Sequence, residues 1–320
     1  MKALRPFCLV VVLAGPAAAA PPANCTLKEV GSLAMETNDP GRAIVTLAIA
    51  GKPERFEVDT GGAFTSVFQD VAERFGLKPR SISQQLEIYD VNGDRSRQYV
   101  DLPKLTIGTM NGDNIPVVVR TRNPNDDPRL AGVLAPDILS KFDVDLDFAA
   151  HKLNLFSQDH CEGQVVYWSG SFAQAEFDLR NGHIVLSMTL DGKDVTATLD
   201  TGSRLSHLYD AVARNKFGLD ENALEPIPGV PPGSLEKFQH RFKSLSIGGL
   251  AIGNPLVYIL PDLAERSFEQ NHLDKEQIDP QYAVHLNTTD MLLGMDVLSK
   301  LHLYIAYKER KIYLTAAGAH

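Results

Sequence analysis

Asp59-Thr60-Gly61 occurs a second time as Asp200-Thr201-Gly202, and the reading of this 320-residue chain turns on that recurrence. Each copy follows an apolar, strand-like run, Arg55-Phe56-Glu57-Val58 or Val195-Thr196-Ala197-Thr198-Leu199. Each precedes another, Phe64-Thr65-Ser66-Val67-Phe68 or Leu205-Ser206-His207-Leu208-Tyr209. Such a tripeptide arises by chance roughly once in several thousand positions, and one copy alone reads equally well as a plain turn after a strand. Here further landmarks are paired in the same order. Leu105-Thr106-Ile107-Gly108 returns as Leu245-Ser246-Ile247-Gly248, and Asp137-Ile138-Leu139-Ser140-Lys141 returns as Asp296-Val297-Leu298-Ser299-Lys300. Lys152-Leu153-Asn154-Leu155 is echoed by Lys311-Ile312-Tyr313-Leu314. An internal repeat accounts for all of them. The offset is 141 residues at the aspartates, 140 at the Ile-Gly landmark and 159 at the Asp-φ-Leu-Ser-Lys landmark. The second repeat therefore gains 19 residues between Gly248 and Asp296, and the polar stretch 262–290 reads as a surface insertion holding them.

Residues 1–20 have the form of a secretory leader. Lys2 and Arg5 precede the apolar residues 7–13, and Ala17 to Ala20 supply small side chains for cleavage. The run is too short to span a bilayer, so the remainder is expected to be exported, periplasmic or secreted. The formal charge of −9 becomes −11 on loss of Lys2 and Arg5. A moderately acidic chain with no basic cluster is not built to bind nucleic acid or an anionic membrane. Cys25 and Cys161 remain beyond the leader. In an oxidising compartment they can join the N-terminal segment to the link between repeats, or they stay as two buried thiols. The expected divisions are a leader at 1–20, an N-terminal segment at 21–40, a first lobe at 41–157, a linker at 158–178 and a second lobe at 179–316.

Within each repeat the patterning favours strands. Residues 43–49 and 183–190 each end at a Gly-Lys turn, which predicts a hairpin into the Asp-bearing strand. Residues 70–75 and 210–217 read as short helices closed by Gly76 and Gly218. Asn92-Gly93 is a strong hairpin turn between 86–89 and 97–100. The corresponding stretch 225–234, rich in Pro and Gly, reads as a loop rather than a regular hairpin. The Asp-φ-Leu-Ser-Lys segments read as short helices, with Pro136 suited to a first turn. Trp168 and Phe172, in the linker, are expected to pack between the lobes.

A carboxylate at a strand tip followed by Thr-Gly is held by the backbone of a tight turn. Gly61 and Gly202 let a second such turn approach, since a Cβ there would block it. If the turns meet face to face, the carboxylates lie about 3 Å apart and cannot both ionise. They then share a proton and titrate as a pair. One can take a proton from a water between them while the other donates to a carbonyl oxygen, giving attack of water on an amide without a covalent intermediate.

Asp59-Thr60-Gly61-Gly62-Ala63 and Asp200-Thr201-Gly202-Ser203, each with a later apolar-apolar-small element (Val133-Leu134-Ala135 and Leu292-Leu293-Gly294), resemble the aspartic proteases of the pepsin and retropepsin type. The resemblance covers nearly all of the chain beyond the leader. It implies a mostly β fold of two homologous, β-barrel-like lobes with the active site in the cleft between them. It also implies an aspartic endopeptidase in which Asp59 and Asp200 are catalytic and the hydroxyls of Thr60 and Thr201 cross-link the two turns. Gly61, Gly62, Gly202 and Ser203 complete the support, and the hairpin with Tyr89, Asn92 and Gly93 becomes a flap over the substrate. Tyr89 reads equally as an ordinary cross-strand aromatic. The partner is a peptide or protein, no metal or cofactor is called for, and a single chain suffices. Gly62 stands where the pepsin pattern has a hydroxyl beside the aspartate, while Ser203 keeps it. Loss of a hydrogen bond to the charged form raises a carboxyl's pKa. Asp59 is therefore expected to hold the shared proton, with activity peaking at mildly acidic to near-neutral pH.

Two other readings compete: a catalytically silent peptide-binding module on the same cleft, and a structural or ligand-binding envelope protein with a duplicated β fold. Other enzyme chemistries find no footing, because the chain has no Gly-x-Ser-x-Gly turn, no His-Glu-x-x-His and no Gly-rich phosphate loop. The nine histidines show no ligand-like spacing. His207, seven residues past Asp200, reads as a neighbour or core residue.

Overall fold

The two Asp-Thr-Gly turns occupy equivalent places in two lobes of a mostly β structure, a computed structural model that describes residues 25–37, 41–83, 88–89, 95–122, 126–230, 237–260 and 289–319. The leader-like residues 1–20, Asn92, Gly93 and nearly all of the 262–290 insertion lie outside the described residues. Among the described residues no helix is long and apolar enough to cross a membrane.

In the first lobe Ala43–Ile49 pairs antiparallel with Lys52–Val58 across an Ala50-Gly51 turn, both residues at positive φ. In the second, His183–Leu190 pairs with Lys193–Leu199 across Asp191-Gly192, again both at positive φ. This backbone twist matches that of the flanking strands, which is why the turn chemistry was readable. Short strands follow at Ser66–Phe68 and His207–Tyr209. The apolar strand Leu130–Leu134 then inserts between the Asp-bearing strand and its successor, parallel to Lys52–Val58 and antiparallel to Ser66–Phe68. Met291–Leu293 does the same in the second lobe. Asp59 N–H donates to Leu134 C=O, and Asp200 N–H to Leu293 C=O, both at 3.0 Å. Each aspartate thus leaves its strand at the middle of a sheet, over a core that includes the fully buried Phe56, Val58 and Leu134 or Leu199 and Leu293.

The helices Gln69–Arg74 and Asp210–Phe217 form as expected, with Gly76 and Gly218 at positive φ behind them. The Asp-φ-Leu-Ser-Lys segments give four-residue helices, Pro136–Leu139 and Met295–Leu298. Ile88–Tyr89 pairs with Arg95–Ser96, the base of the expected hairpin.

Three expectations change. The 225–234 stretch does start a hairpin: Glu225 and Pro226 pair with Gln239 and Phe238, and Ile227 N–H donates to Lys237 C=O at 3.0 Å. The proline is accommodated because this is a two-residue strand at the start of the ladder. The 158–178 linker is shorter than expected, since Ala173–Arg180 is a strand. Its first half pairs with Lys311–Ala316 and its second with His183–Leu190. Likewise the N-terminal segment contributes Glu29–Thr37, which pairs with Lys152–Phe156 and then with Ala43–Ile49. These pairings create a sheet that neither lobe owns, in the order Glu29–Thr37, Lys152–Phe156, Asp143–Asp147, Leu301–Ala306, Lys311–Ala316, Ala173–Arg180. At its centre Val144 faces Ile305 and Leu146 faces Leu303.

The third change concerns Trp168 and Phe172, of which only Trp168 packs between the lobes, on a cluster drawn from both, Phe156 with Tyr304 and Tyr313. Trp168 stacks on His302 at 3.9 Å between ring centroids and donates from Nε1 to Thr315 Oγ1, 3.0 Å. Both partners belong to the shared sheet, so the linker lies over that sheet. Phe172 is 42% exposed with its ring edge against Tyr313. Cys25 and Cys161 are bonded as a disulfide across 136 residues, tying the start of the first shared strand to the linker.

Candidate active site

A Thr-Gly sequence after a strand lets the chain turn back so that its next amides point at the preceding carboxylate. Asp59 Oδ1 accepts from Gly61 N–H and Gly62 N–H, each at 2.8 Å. Asp200 Oδ1 accepts from Gly202 N–H at 2.9 Å and Ser203 N–H at 3.0 Å. The threonine hydroxyls point across the lobe boundary. Thr60 Oγ1 donates to Leu199 C=O at 2.8 Å and accepts from Thr201 N–H at 3.1 Å. Thr201 Oγ1 donates to Val58 C=O at 2.6 Å and accepts from Thr60 N–H at 3.0 Å. Both threonines are fully buried, so each hydroxyl satisfies backbone groups that no water reaches.

This cross-link brings the two turns into contact. A Cβ added to Gly61 would stand 2.2 Å from the Asp200 carboxyl carbon, and one added to Gly202 would stand 2.5 Å from that of Asp59. The carboxyl groups of Asp59 and Asp200 face each other within hydrogen-bonding reach, and a bond between two carboxyls requires a proton between them. Burial first, and then the charge of Asp59, push the Asp200 carboxyl well above the usual carboxylate range.

The hydroxyl that Ser203 was expected to lend to the charged form of Asp200 is not there: Asp200 is buried, 8% exposed, and its carboxyl is pushed up. The reason lies in where the Ser203 hydroxyl goes. It donates to Leu205 C=O at 2.8 Å rather than to Asp200. The backbone donors to the two aspartates are matched, so Ser203 adds no further hydrogen bond in favour of the charged form of Asp200.

Other groups around the pair escaped the sequence reading. Thr65 donates from N–H (2.9 Å) and Oγ1 (2.6 Å) to Asp137 Oδ1 and accepts from Ala135 N–H at 3.1 Å. Ser206 donates from Oγ to Asp296 Oδ1 at 2.6 Å and accepts from Gly294 N–H at 3.0 Å. These braces fix the loop after each aspartate to the short helix beyond the inserted strand. Burial raises the pKa of both Asp137 and Asp296 against their hydrogen bonds. The same repeat offsets that pair the aspartates and the Asp-φ-Leu-Ser-Lys motifs also pair Thr65 with Ser206 and Asp137 with Asp296. Ala135 and Gly294 present the same amide, so alanine in place of glycine leaves the brace intact. His183 is hydrogen-bonded to the Gly61 backbone near Asp59, and burial lowers its pKa. His207 is a buried strand residue beside the Tyr258 ring. Among the described residues no group of three or more His, Cys, Asp or Glu side chains is arranged to hold a metal.

The Aspartyl protease family model matches residues 45–134 and 186–297, one segment in each lobe. Among solved structures, an aspartic proteinase from Irpex lacteus superposes with a TM-score of 0.52 at 12% identity, over 90% of this chain and 97% of that one. Basic 7S globulin from soybean superposes with a TM-score of 0.54 at 10% identity, over 92% and 96%. A search of curated protein sequences finds no match. At these identities the likeness is one of fold, and a fold shared by a proteinase and a globulin does not settle an activity. The family match is a different matter, since it rests on this sequence and reaches both repeats. The chain belongs to the aspartyl protease family.

Proposed function

We propose that this chain is an aspartic endopeptidase that hydrolyses peptide bonds with water activated between Asp59 and Asp200. The observation that carries the reading is the pair of facing carboxyls, each cradled by two backbone amides and held by cross-linked turns. Such a pair holds one proton and one negative charge. In the proposed step the charged member takes a proton from water, and the member that holds the shared proton donates it to the carbonyl oxygen. The tetrahedral intermediate then collapses as the newly acquired proton passes to the leaving amine. One chain supplies both carboxyls, so a monomer suffices. The short hairpin of Ile88–Tyr89 and Arg95–Ser96 would be the flap, and the partner an extended peptide or protein segment. Activity should peak at mildly acidic to near-neutral pH, and a profile peaking near pH 2 counts against it. Export through the leader fits the Cys25–Cys161 disulfide, since such bonds persist in oxidising compartments.

The test is cleavage of an unfolded protein followed by mass spectrometry. Asp59→Asn and Asp200→Asn should each lower turnover by about 10²- to 10⁴-fold or more. If both variants cleave like the wild type, the pair does no catalysis; if the wild type itself does not cleave but binds peptide, the silent peptide-binding reading replaces this one.

A further inference from the structure

The repeat that aligns Asp59 with Asp200 also aligns Glu57 with Thr198 and Arg42 with His183, all at the same offset. The two lobes differ in charge at these places. In the second lobe the buried Thr198 hydroxyl meets the Thr289 hydroxyl at 3.1 Å, a neutral contact. In the first lobe a carboxylate stands there instead, two residues before Asp59 on the strand Lys52–Val58. Residues i and i+2 of a strand share a face, with Cα atoms about 7 Å apart. Asp59, the next residue past that strand, keeps its N–H on Leu134 C=O at 3.0 Å, which carries the extended backbone as far as Asp59 and holds it close to Glu57.

Glu57 is 4% exposed. Its Oε2 accepts from Arg42 Nη1 at 2.9 Å, and its Oε1 is buried with no hydrogen-bond partner among the described residues. The flanking strands set apolar residues opposite it, Ile44 on one side and Val133 on the other. The charged groups acting on it are Arg42, ahead of the Ala43–Ile49 strand, Arg120, at the end of Met110–Arg120, and Asp59, one residue past the end of its own strand. Burial pushes its carboxyl up to about 7 against the pull of Arg42, and the charge of Asp59 adds to the push.

We propose that Glu57 is a positioning residue for the shared proton: its negative charge, held by Arg42 in a buried site beside Asp59, keeps that proton on the Asp59–Asp200 pair at near-neutral pH. Repulsion between two proton-binding sites is reciprocal, so what Asp59 does to Glu57, Glu57 does to the pair. With Glu57 ionised, losing the shared proton would place one more negative charge in a poorly solvated region. The singly protonated pair then survives to higher pH. With Glu57 neutralised, Arg42 and Arg120 act on the pair unopposed and draw the proton off at lower pH. The inference rests on Asp59 and Asp200 being the working pair of the proposed function.

Carboxyl-carbon NMR of protein labelled with carbon-13 in aspartate and glutamate reads the pair whether or not the chain cleaves anything. Glu57→Gln, and Glu57→Thr, which installs the second lobe's residue, should lower the upper midpoint of the pair by about one pH unit. Glu57→Asp should retain most of the wild-type value. The alkaline limb of kcat/KM against casein should move by the same amount as the NMR midpoint. In the wild type, the Glu57 carbon should titrate near 7, with a response in the pair at that pH. Unmoved midpoints in variants that unfold like the wild type overturn the proposal, as does a wild-type pair that ignores the Glu57 titration. Shifted midpoints without any cleavage leave the coupling standing and remove the protease reading instead.

Discussion

At Gly61 an added Cβ would stand 2.2 Å from the Asp200 carboxyl carbon, and at Gly202 it would stand 2.5 Å from that of Asp59. Contacts this short are relieved only if the facing carboxyl turns out of the pair or the two turns separate, and either disrupts the site. Gly61→Ala should therefore part the two carboxyls, and a displacement near 1 Å costs about a hundredfold in rate. The check is kcat/KM on an unfolded protein, with circular dichroism to show that the fold persists. A variant as active as the wild type would mean that the pair need not touch to work. The aspartates, threonines and glycines of the site were legible because their roles depend on the few residues around them. The setting of the Asp200 carboxyl was not. It depends on how deeply Asp200 is buried and on where the Ser203 hydroxyl points, and neither is a property of the tripeptide.

Between residue and lobe, the braces formed by Thr65 with Asp137 and by Ser206 with Asp296 tie each active-site loop to a short helix. Ser206→Ala would leave the Gly294 amide and the Asp296 carboxyl without their shared partner in a buried place. Its cost should be about 1–3 kcal/mol, read as a lower urea midpoint with an unchanged slope, and Thr65→Val should behave alike. No change in either midpoint would show that water replaces the hydroxyls. Hairpins such as Ala43–Ile49 with Lys52–Val58 were legible from turn chemistry, which is local. The shared sheet was not, because Glu29–Thr37 finds Lys152–Phe156, and Ala173–Arg180 finds Lys311–Ala316, across more than a hundred residues each. The stretch at 225 misled for another reason: its proline and glycines announce a loop, yet two short strands at its base still pair.

For the whole molecule, the buried carboxyls set the response of stability to pH. Asp137, Asp143, Asp200 and Asp296 all have raised pKa values because burial disfavours their charge, and Glu57 rises from an ordinary 4.5 to about 7. A raised folded-state pKa means that the folded chain binds more protons than the unfolded one between the two values. The stability it contributes is fully present below the unfolded value and is lost as pH climbs through the folded one. For Glu57 the window runs from 4.5 to about 7, a change on the order of 3 kcal/mol. His183, whose pKa is lowered, opposes this below its ordinary 6.5. The urea midpoint should thus rise on acidification from about pH 8 to about pH 5, and less steeply in Glu57→Gln. A midpoint that falls over that range would show that exposed ion pairs outweigh the buried carboxyls. The shared sheet carries a different consequence. Val144 pairs with Ile305 and Leu146 with Leu303. By the 159-residue offset, residue 303 is the counterpart of 144 and residue 305 that of 146. Each strand thus meets its own copy in a self-complementary, isologous register, as the subunits of a two-fold dimer do. The chain carries a dimer interface inside one polypeptide, so its lobes could diverge in charge at Glu57 and Thr198 while the junction that brings their aspartates together stayed symmetric.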